Sequence, residues 1–444
     1  MQKTFLEFFA GIGLFRLGLE LEGWTCLWAN DITQDKFDTY AANFGGEDFF
    51  VGDVWKVNAG DLPAPAALAT ASFPCTDLSV AGEREGLKGS ESGTVGAFLN
   101  ILHALRRKKR APPLVVLENV VGLLTSHEGA DVRGLVWELN RAGYTVDLVL
   151  IDAVHFVPQS RPRVFLIGVD DKLAPRFFTA TSSTCDELEF RAILNESHDL
   201  RPRVVRDTVM SSVDLRWGIR RLPKLPTHKH RLADLVEDMP DESPHWWAAD
   251  QVSRLLSQMS EKHISTVNIW KQADSYRYGT VYRRVRKTGS MAELRSDGIA
   301  GCLRTPRGGS SKQIVVRAGR GRVDARWMTP REYGRLQGVP DSFVHSDNPT
   351  KAYFGYGDAV CVPVIRWLAS KYAVPALELV SSPRRVGGVW GSAGARSKVR
   401  SHSSAGAVSG SSGRVRSDKQ DVACANALCE SRNRWKLWSI HKRR

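Results

Sequence analysis

Lys3-Thr4-Phe5-Leu6-Glu7-Phe8-Phe9-Ala10 is an apolar stretch that reads as a strand, Gly11-Ile12-Gly13 reads as a turn, and Leu14 to Leu21 carries apolar residues at helical spacing. Strand, glycine turn and helix in that order make the first βα unit of a Rossmann-like sheet. Glycines in such a turn let the backbone approach a ligand, and the following helix presents unpaired N–H groups. A dinucleotide fingerprint requires another glycine where Arg16 stands, which disfavours nicotinamide and flavin cofactors.

Working outward, Thr25 to Asn30 forms a second strand that ends at Asp31, placed either to bind ribose hydroxyls or to cap the helix ahead of Lys36 to Asn43. Phe49-Phe50-Val51 closes on Gly52-Asp53, where the carboxylate can accept from an adenine amino group. Leu68 to Phe73 is a further buried strand, and Pro74 cannot continue a sheet ladder, so the chain turns there. Cys75 therefore sits at a strand end, either as a nucleophile or as a buried structural thiol. Leu114-Val115-Val116-Leu117 runs into Glu118-Asn119-Val120. A carboxyl there is poorly solvated and its pKa is expected to rise, whether it is an acid catalyst or a structural group. Val146 to Ile151 and Arg163 to Val169 are two more strands bracketing Gln159-Ser160-Arg161-Pro162-Arg163, with Arg161 and Arg163 on one face.

The chain has 444 residues, 42% of them hydrophobic and 25% charged, enough for two or three globular domains. Its seven cysteines are scattered without a Cys-x-x-Cys pair, so neither a disulfide framework nor a metal site is expected. The amino terminus enters a strand directly and no stretch approaches the ~18 apolar residues of a membrane span. A soluble, cytoplasmic protein is expected.

The net charge of +14 is unevenly spread. Residues 1–200 carry 18 Lys and Arg against 27 Asp and Glu, residues 201–330 carry 25 against 13, and residues 381–444 carry 14 against 3. The middle segment interleaves Trp217, Trp246, Trp247 and Trp270 with Arg283-Arg284-Val285-Arg286-Lys287 and Leu303-Arg304-Thr305-Pro306-Arg307-Gly308-Gly309. Basic patches with aromatics and glycine loops suit a duplex backbone and base edges, and Arg304, Arg307, Gly308 and Gly309 are the candidate contacts. Ser79 to Thr94 reads as a mobile loop and Arg106 to Arg110 as a solvated helix end. From Ser381 onward Ser, Gly, Ala and Arg dominate, and a disordered basic tail is expected.

Phe9-Ala10-Gly11-Ile12-Gly13, Phe73-Pro74-Cys75, Glu118-Asn119-Val120, Gln159 to Arg163, Arg331 to Gly338 and Gly357-Asp358-Ala359-Val360 together resemble, in content and order, the DNA (cytosine-5-)-methyltransferases. The resemblance covers residues 4–375 apart from a variable segment. It implies an α/β, Rossmann-like S-adenosylmethionine-dependent domain in two parts, 1–169 and 328–380, around a smaller target recognition domain, 170–327, with a tail at 381–444. By resemblance Cys75 adds to carbon 6 of a flipped-out cytosine, Glu118 supplies a proton toward ring nitrogen 3, and Arg163 helps hold base and acid. Pro74, Asn119, Gln159 and Arg161 support them. S-adenosyl-L-methionine, with no metal, would lie across Phe9, Gly11, Gly13, Asp31, Asp53, Ala359 and Val360.

The implied partner is double-stranded DNA, bound by a monomer associated with the nucleoid. A cognate restriction endonuclease acts separately where such an enzyme belongs to a restriction-modification system; a solitary or phage role is the other option. The tRNA-methylating branch shares these motifs but lacks a long insert. Two departures stand out: Asp358 replaces a usual Asn, where another carboxylate could weaken cofactor binding, and Cys302 before Leu303 replaces a usual Thr.

Overall fold

The computed structural model describes residues 1–63, 65–75, 92–196, 198–286, 289–306 and 312–381. Most of the expected mobile loop, together with Arg307, Gly308, Gly309 and the tail beyond Ser381, lies outside them.

Seven strands form the main sheet: β1 Thr4–Phe8, β2 Thr25–Asp31, β3 Phe49–Val51, β4 Leu68–Ala71, β5 Leu114–Val120, β6 Tyr144–Asp152 and β7 Pro162–Asp170. Their order is β3-β2-β1-β4-β5-β7-β6. The β1, β4 and β5 runs are almost wholly buried, as parallel strands covered on both faces must be. Alternate residues feed two cores. Phe5, Leu68, Val116 and Ile167 pack on one face, and Leu6, Ala69, Val115 and Leu166 on the other. Strand order reverses between β1 and β4, so their carboxyl ends open the crevice where such sheets bind ligands.

β7 pairs antiparallel with both β5 and β6. This orientation brings the start of β7 to the edge where β4 and β5 end. In the β5–β7 register Glu118 stands opposite Phe165. Arg163, two residues before Phe165, therefore shares the face of Glu118 as its diagonal neighbour.

The first part of the segment between residues 170 and 327 is not a separate body. Phe190, Val205, Val209 and Trp217 join one core of the main sheet, while Phe177, Leu200 and Leu232 join the other. Two short strands, β8 Ala180–Thr181 and β9 Gly218–Ile219, pair here. Buried Asp147 of β6 anchors this part. It accepts from Arg201 at 2.7 Å, from the Arg220 N–H at 3.1 Å and from the Tyr372 hydroxyl at 2.9 Å.

A third core, built from Val252, Leu255, Val267, Trp270, Val281, Leu294, Ile314 and Val316, lies under a separate antiparallel sheet. That sheet has the order β11-β10-β12-β13, formed by β10 Arg277–Arg286, β11 Gly289–Arg295, β12 Ile314–Gly319 and β13 Arg322–Trp327.

The chain then returns to the main body through helices Pro330–Leu336, Pro349–Asp358 and Val362–Leu368. Thr329 caps the first of these in a reciprocal box with Glu332. Pro349–Ser381 is long and apolar enough to cross a membrane. Here, however, its Tyr353, Tyr356, Ile365, Leu368 and Tyr372 are core residues.

Candidate active site

The crevice is lined first by the turn after β1. Phe9 has a φ of 58° and Gly11 one of 59°. A left-handed Phe is an uncommon, costly conformation of the kind that gathers at functional sites. A β-carbon at Gly11 would meet nothing within 4 Å, so this backbone faces open space. Gly13 differs: its φ is 84°, and a β-carbon there would lie 2.5 Å from the Phe44 ring. Its positive φ and its packing against Phe44 both require glycine there.

Asp31 ties the turn to β2, accepting from Gly11 N–H and from Thr33 N–H, both at 3.0 Å. Asp31 is not the cap of the next helix: Thr33 holds that position without a side-chain cap bond, and the Asp31 carboxylate stays at the crevice. Asp53 accepts from Trp55 N–H at 3.0 Å. The sequence reading missed two apolar groups beside these acids. Ile32 is 69% exposed and Trp55 43% exposed. An apolar residue that directly follows a strand-terminal acid and reaches no core was the available signal for Ile32.

The returning chain closes the crevice. A β-carbon at Gly355 would sit 2.8 Å from Ile12, so helix Pro349–Asp358 packs against the glycine turn. Asp358 pairs with Lys36 at 3.1 Å, which offsets the charge of the departure noted above. Flat apolar surface, carboxylates at two strand ends and open backbone at Gly11 fit an adenosine-bearing sulfonium cofactor; the face of Phe9 suits its cation. Among the described residues there is no group of three His, Cys, Asp or Glu side chains that could hold a metal.

The second half of the site lies across β4, β5 and β7. Asn119 Nδ2 donates to the Phe73 carbonyl at 3.1 Å, fixing the turn that carries Pro74 and Cys75. Burial pushes the Cys75 thiol up, against the pull of Arg163. Burial likewise raises the Glu118 carboxyl above the usual range, although Arg163 Nε lies 3.0 Å from Glu118 Oε1 and works the other way.

Arg161 is fully buried and acts as a clamp: Nη1 donates to the Leu303 carbonyl at 2.7 Å, and Nη2 to the carbonyls of Gly357 at 2.9 Å and Ala359 at 2.6 Å. Gln159 is also buried. It donates to the Leu336 carbonyl at 2.8 Å and accepts from Leu303 N–H at 3.2 Å. Gly357 is glycine because a β-carbon would fall 2.7 Å from the Arg304 backbone. Arg161, Gln159 and Gly357 thus join three distant stretches at the carboxyl edge of the sheet. Of the recognition candidates, Arg304 is described and exposed. Val360 and Ala359 form the turn behind Asp358, with Val360 buried.

The strand order, the crevice at the β1–β4 switch and the second core-bearing sheet define a Rossmann-like methyltransferase with an inserted smaller region. The chain belongs to the C-5 cytosine-specific DNA methylase family, whose family model matches residues 3–373. It is similar to the type II methyltransferase M.NlaX of Neisseria lactamica, with 29% identity over 85% of this chain and 97% of the relative. It is also similar to M.HpaII of Haemophilus parainfluenzae, at 26% over 83% and 88% respectively. Among solved structures, a Dnmt2 from Spodoptera frugiperda superposes with a TM-score of 0.54 at 16% identity, covering 83% of this chain and 99% of that one, a likeness of fold. The protein is a DNA (cytosine-5-)-methyltransferase, and use of S-adenosylmethionine follows from the family.

Proposed function

We propose that the enzyme methylates carbon 5 of a cytosine flipped out of a specific duplex sequence, through a transient bond between Cys75 and carbon 6. The observation that carries this reading is the Glu118–Arg163 pair, 3.0 Å apart, in the electrostatic neighbourhood of Cys75 at the adjoining strand end. Carbon 5 of cytosine is a weak nucleophile. Attack of the Cys75 thiolate on carbon 6 pushes the ring electrons toward carbon 5 and nitrogen 3. Glu118, kept protonated by burial, donates toward nitrogen 3, and Arg163 holds its carboxyl in place.

S-adenosylmethionine, when bound, supplies an electrophilic methyl group. Phe9, Gly11, Asp31, Asp53 and the Ala359-Val360 turn would hold it, with Ile32 and Trp55 flanking the adenine. After transfer, the carbon 5 proton leaves to a base and the carbon 6–sulfur bond breaks, returning the thiolate. Asn119 positions the cysteine turn, while Gln159 and Arg161 brace the edge. Flipping the base costs a few kcal/mol, which contacts from the insert offset.

Sequence choice is assigned to the insert, 170–327, and within it to the four-stranded sheet, its helices and the stretch around Arg304. Transfer of labelled methyl groups to duplex DNA but not tRNA is expected, with the methylated cytosines confined to one sequence context. Labelling of tRNA alone would overturn the substrate assignment.

A further inference from the structure

Cys302 has no part in the proposed reaction, yet its sulfur lies where Arg161 and Arg163 converge. Arg161 Nη1 is 3.5 Å and Arg163 Nη1 is 4.0 Å from Sγ, and the thiol lies 3.4 Å from the Leu303 carbonyl. Building on the proposed role of Glu118, we propose that Cys302 is a positioning residue for methyl transfer, whose sulfur, shared by the guanidiniums of Arg161 and Arg163, keeps Arg163 on Glu118 and offsets part of its charge.

Two guanidiniums that converge on one sulfur repel one another. Burial and the nearby Arg163 both lower the pKa of Arg161. An anion between them relieves the repulsion. The same anion also serves Glu118. Arg163 orients that carboxyl but favours its ionised form, whereas the proposed reaction needs a proton on it. A sulfur carrying charge beside Arg163 weakens the second effect without removing the first. A Ser or Thr hydroxyl could accept from the guanidiniums but would carry no charge.

The charged and titratable groups around Cys302 are consistent with this. Burial raises its thiol, but Arg161, Arg163 and Arg304 outweigh burial and bring it below the usual range. Glu118 and Cys75 face Arg163 from β5 and from the β4 end. Asp152 accepts from Arg161 N–H at 2.6 Å. Cys361, near Arg161, is pushed up to about 12 by burial and stays neutral, and Asp358 is tied to Lys36.

The test is the pH dependence of single-turnover methyl transfer by the wild type, Cys302→Ser and Cys302→Thr. With the sulfur replaced, Arg163 acts on Cys75 and Glu118 with its full charge, so both the rising and the falling limb move to lower pH. The variants should run above wild type on the acid limb and fall roughly five- to tenfold below it at alkaline pH. A uniformly lower rate with unmoved limbs, or an unchanged profile, overturns the proposal. Independently of folding in the variants, alkylation of half-buried Cys302 in the wild type, followed by peptide mass, should show a midpoint below the ~8.5 of a free thiol. A midpoint at or above that value, or no labelling at all, also overturns it. Wild-type enzyme that transfers no methyl group would sink the reading of the whole site. An active wild type with unmoved variants sinks only the role of Cys302.

Discussion

At the carboxyl edge of the main sheet, Arg163 Nε lies 3.0 Å from the Glu118 carboxyl in the crevice. In the four-stranded sheet, Arg317 is bound by Asp324 at 2.8 Å and Asp241 at 2.7 Å, with its guanidinium over the Trp246 and Tyr276 rings. Arg326 there is buried against Glu332, which also caps the helix leading back to the body. Arg201, Arg216, Arg221 and Arg295 are paired with acids as well. Arg201, Arg216, Arg221 and Arg326 pair with acids outside residues 201–330, so part of the excess positive charge of that segment is already engaged within the protein. What distinguishes a group able to meet a phosphate is its lack of an internal acid together with exposure, and net charge reports neither.

Five substitutions sharpen or break this contrast. Cys75→Ala should lower methyl transfer by at least a hundredfold, and by several powers of ten if the thiolate alone carries the covalent step, with cofactor and DNA binding retained. A rate near wild type would remove the crevice side of the comparison.

Arg326→Met leaves the Glu332 carboxylate buried without its partner. Stability should drop by about 3–5 kcal/mol in denaturant unfolding, with no specific change in the salt dependence of DNA binding. If instead only DNA binding suffers, the arginines of that sheet face the nucleic acid after all.

Glu118→Gln keeps a donor but no exchangeable proton, so a loss of about a hundredfold is expected, together with disappearance of the alkaline limb of the pH profile. Arg304→Ala is the converse of Arg326→Met. It should leave the melting temperature unchanged, weaken DNA binding about tenfold and reduce its salt slope by about one.

The smallest effect is on stability alone. Burial raises Glu7 to about 8, beyond what its contact with Arg16 N–H can offset. The folded state thus binds a proton that the unfolded chain releases near its ordinary carboxyl value, and stability falls as pH rises between roughly 4.5 and 8. Glu7→Gln should melt higher than wild type at pH 9 and nearly alike at pH 5. Parallel curves across that range would show that the carboxyl is not held neutral.

The ends of β1, β2, β4 and β5 were legible because apolar runs stop at Gly11, Asp31, Pro74 and Glu118, and each stop changes the chemistry abruptly. The antiparallel turn of β7 was not legible, since a buried strand carries the same residues in either direction, yet it sets Arg163 beside Glu118. The packing of residues 170–236 on the main body was hidden too. Its helices are short, and its anchors, Arg201 to Asp147 and Trp217 to the core, join residues far apart in sequence. The roles of Arg106 and Arg110 were obscured in the same way. Both donate to backbone carbonyls of neighbouring segments, although the run containing them reads as a solvated helix end.

The account turns on attack by one sulfur on carbon 6. Duplex DNA carrying 5-fluorocytosine in the target site blocks the final loss of the carbon 5 substituent, so the covalent species should accumulate. Incubated with cofactor, the wild-type chain should gain the mass of the methylated DNA strand in intact-mass spectra, with the attachment mapped to the peptide containing Cys75, and Cys75→Ala should gain nothing. Turnover on ordinary DNA without any trapped adduct, or an adduct mapped to another residue, would contradict the mechanism.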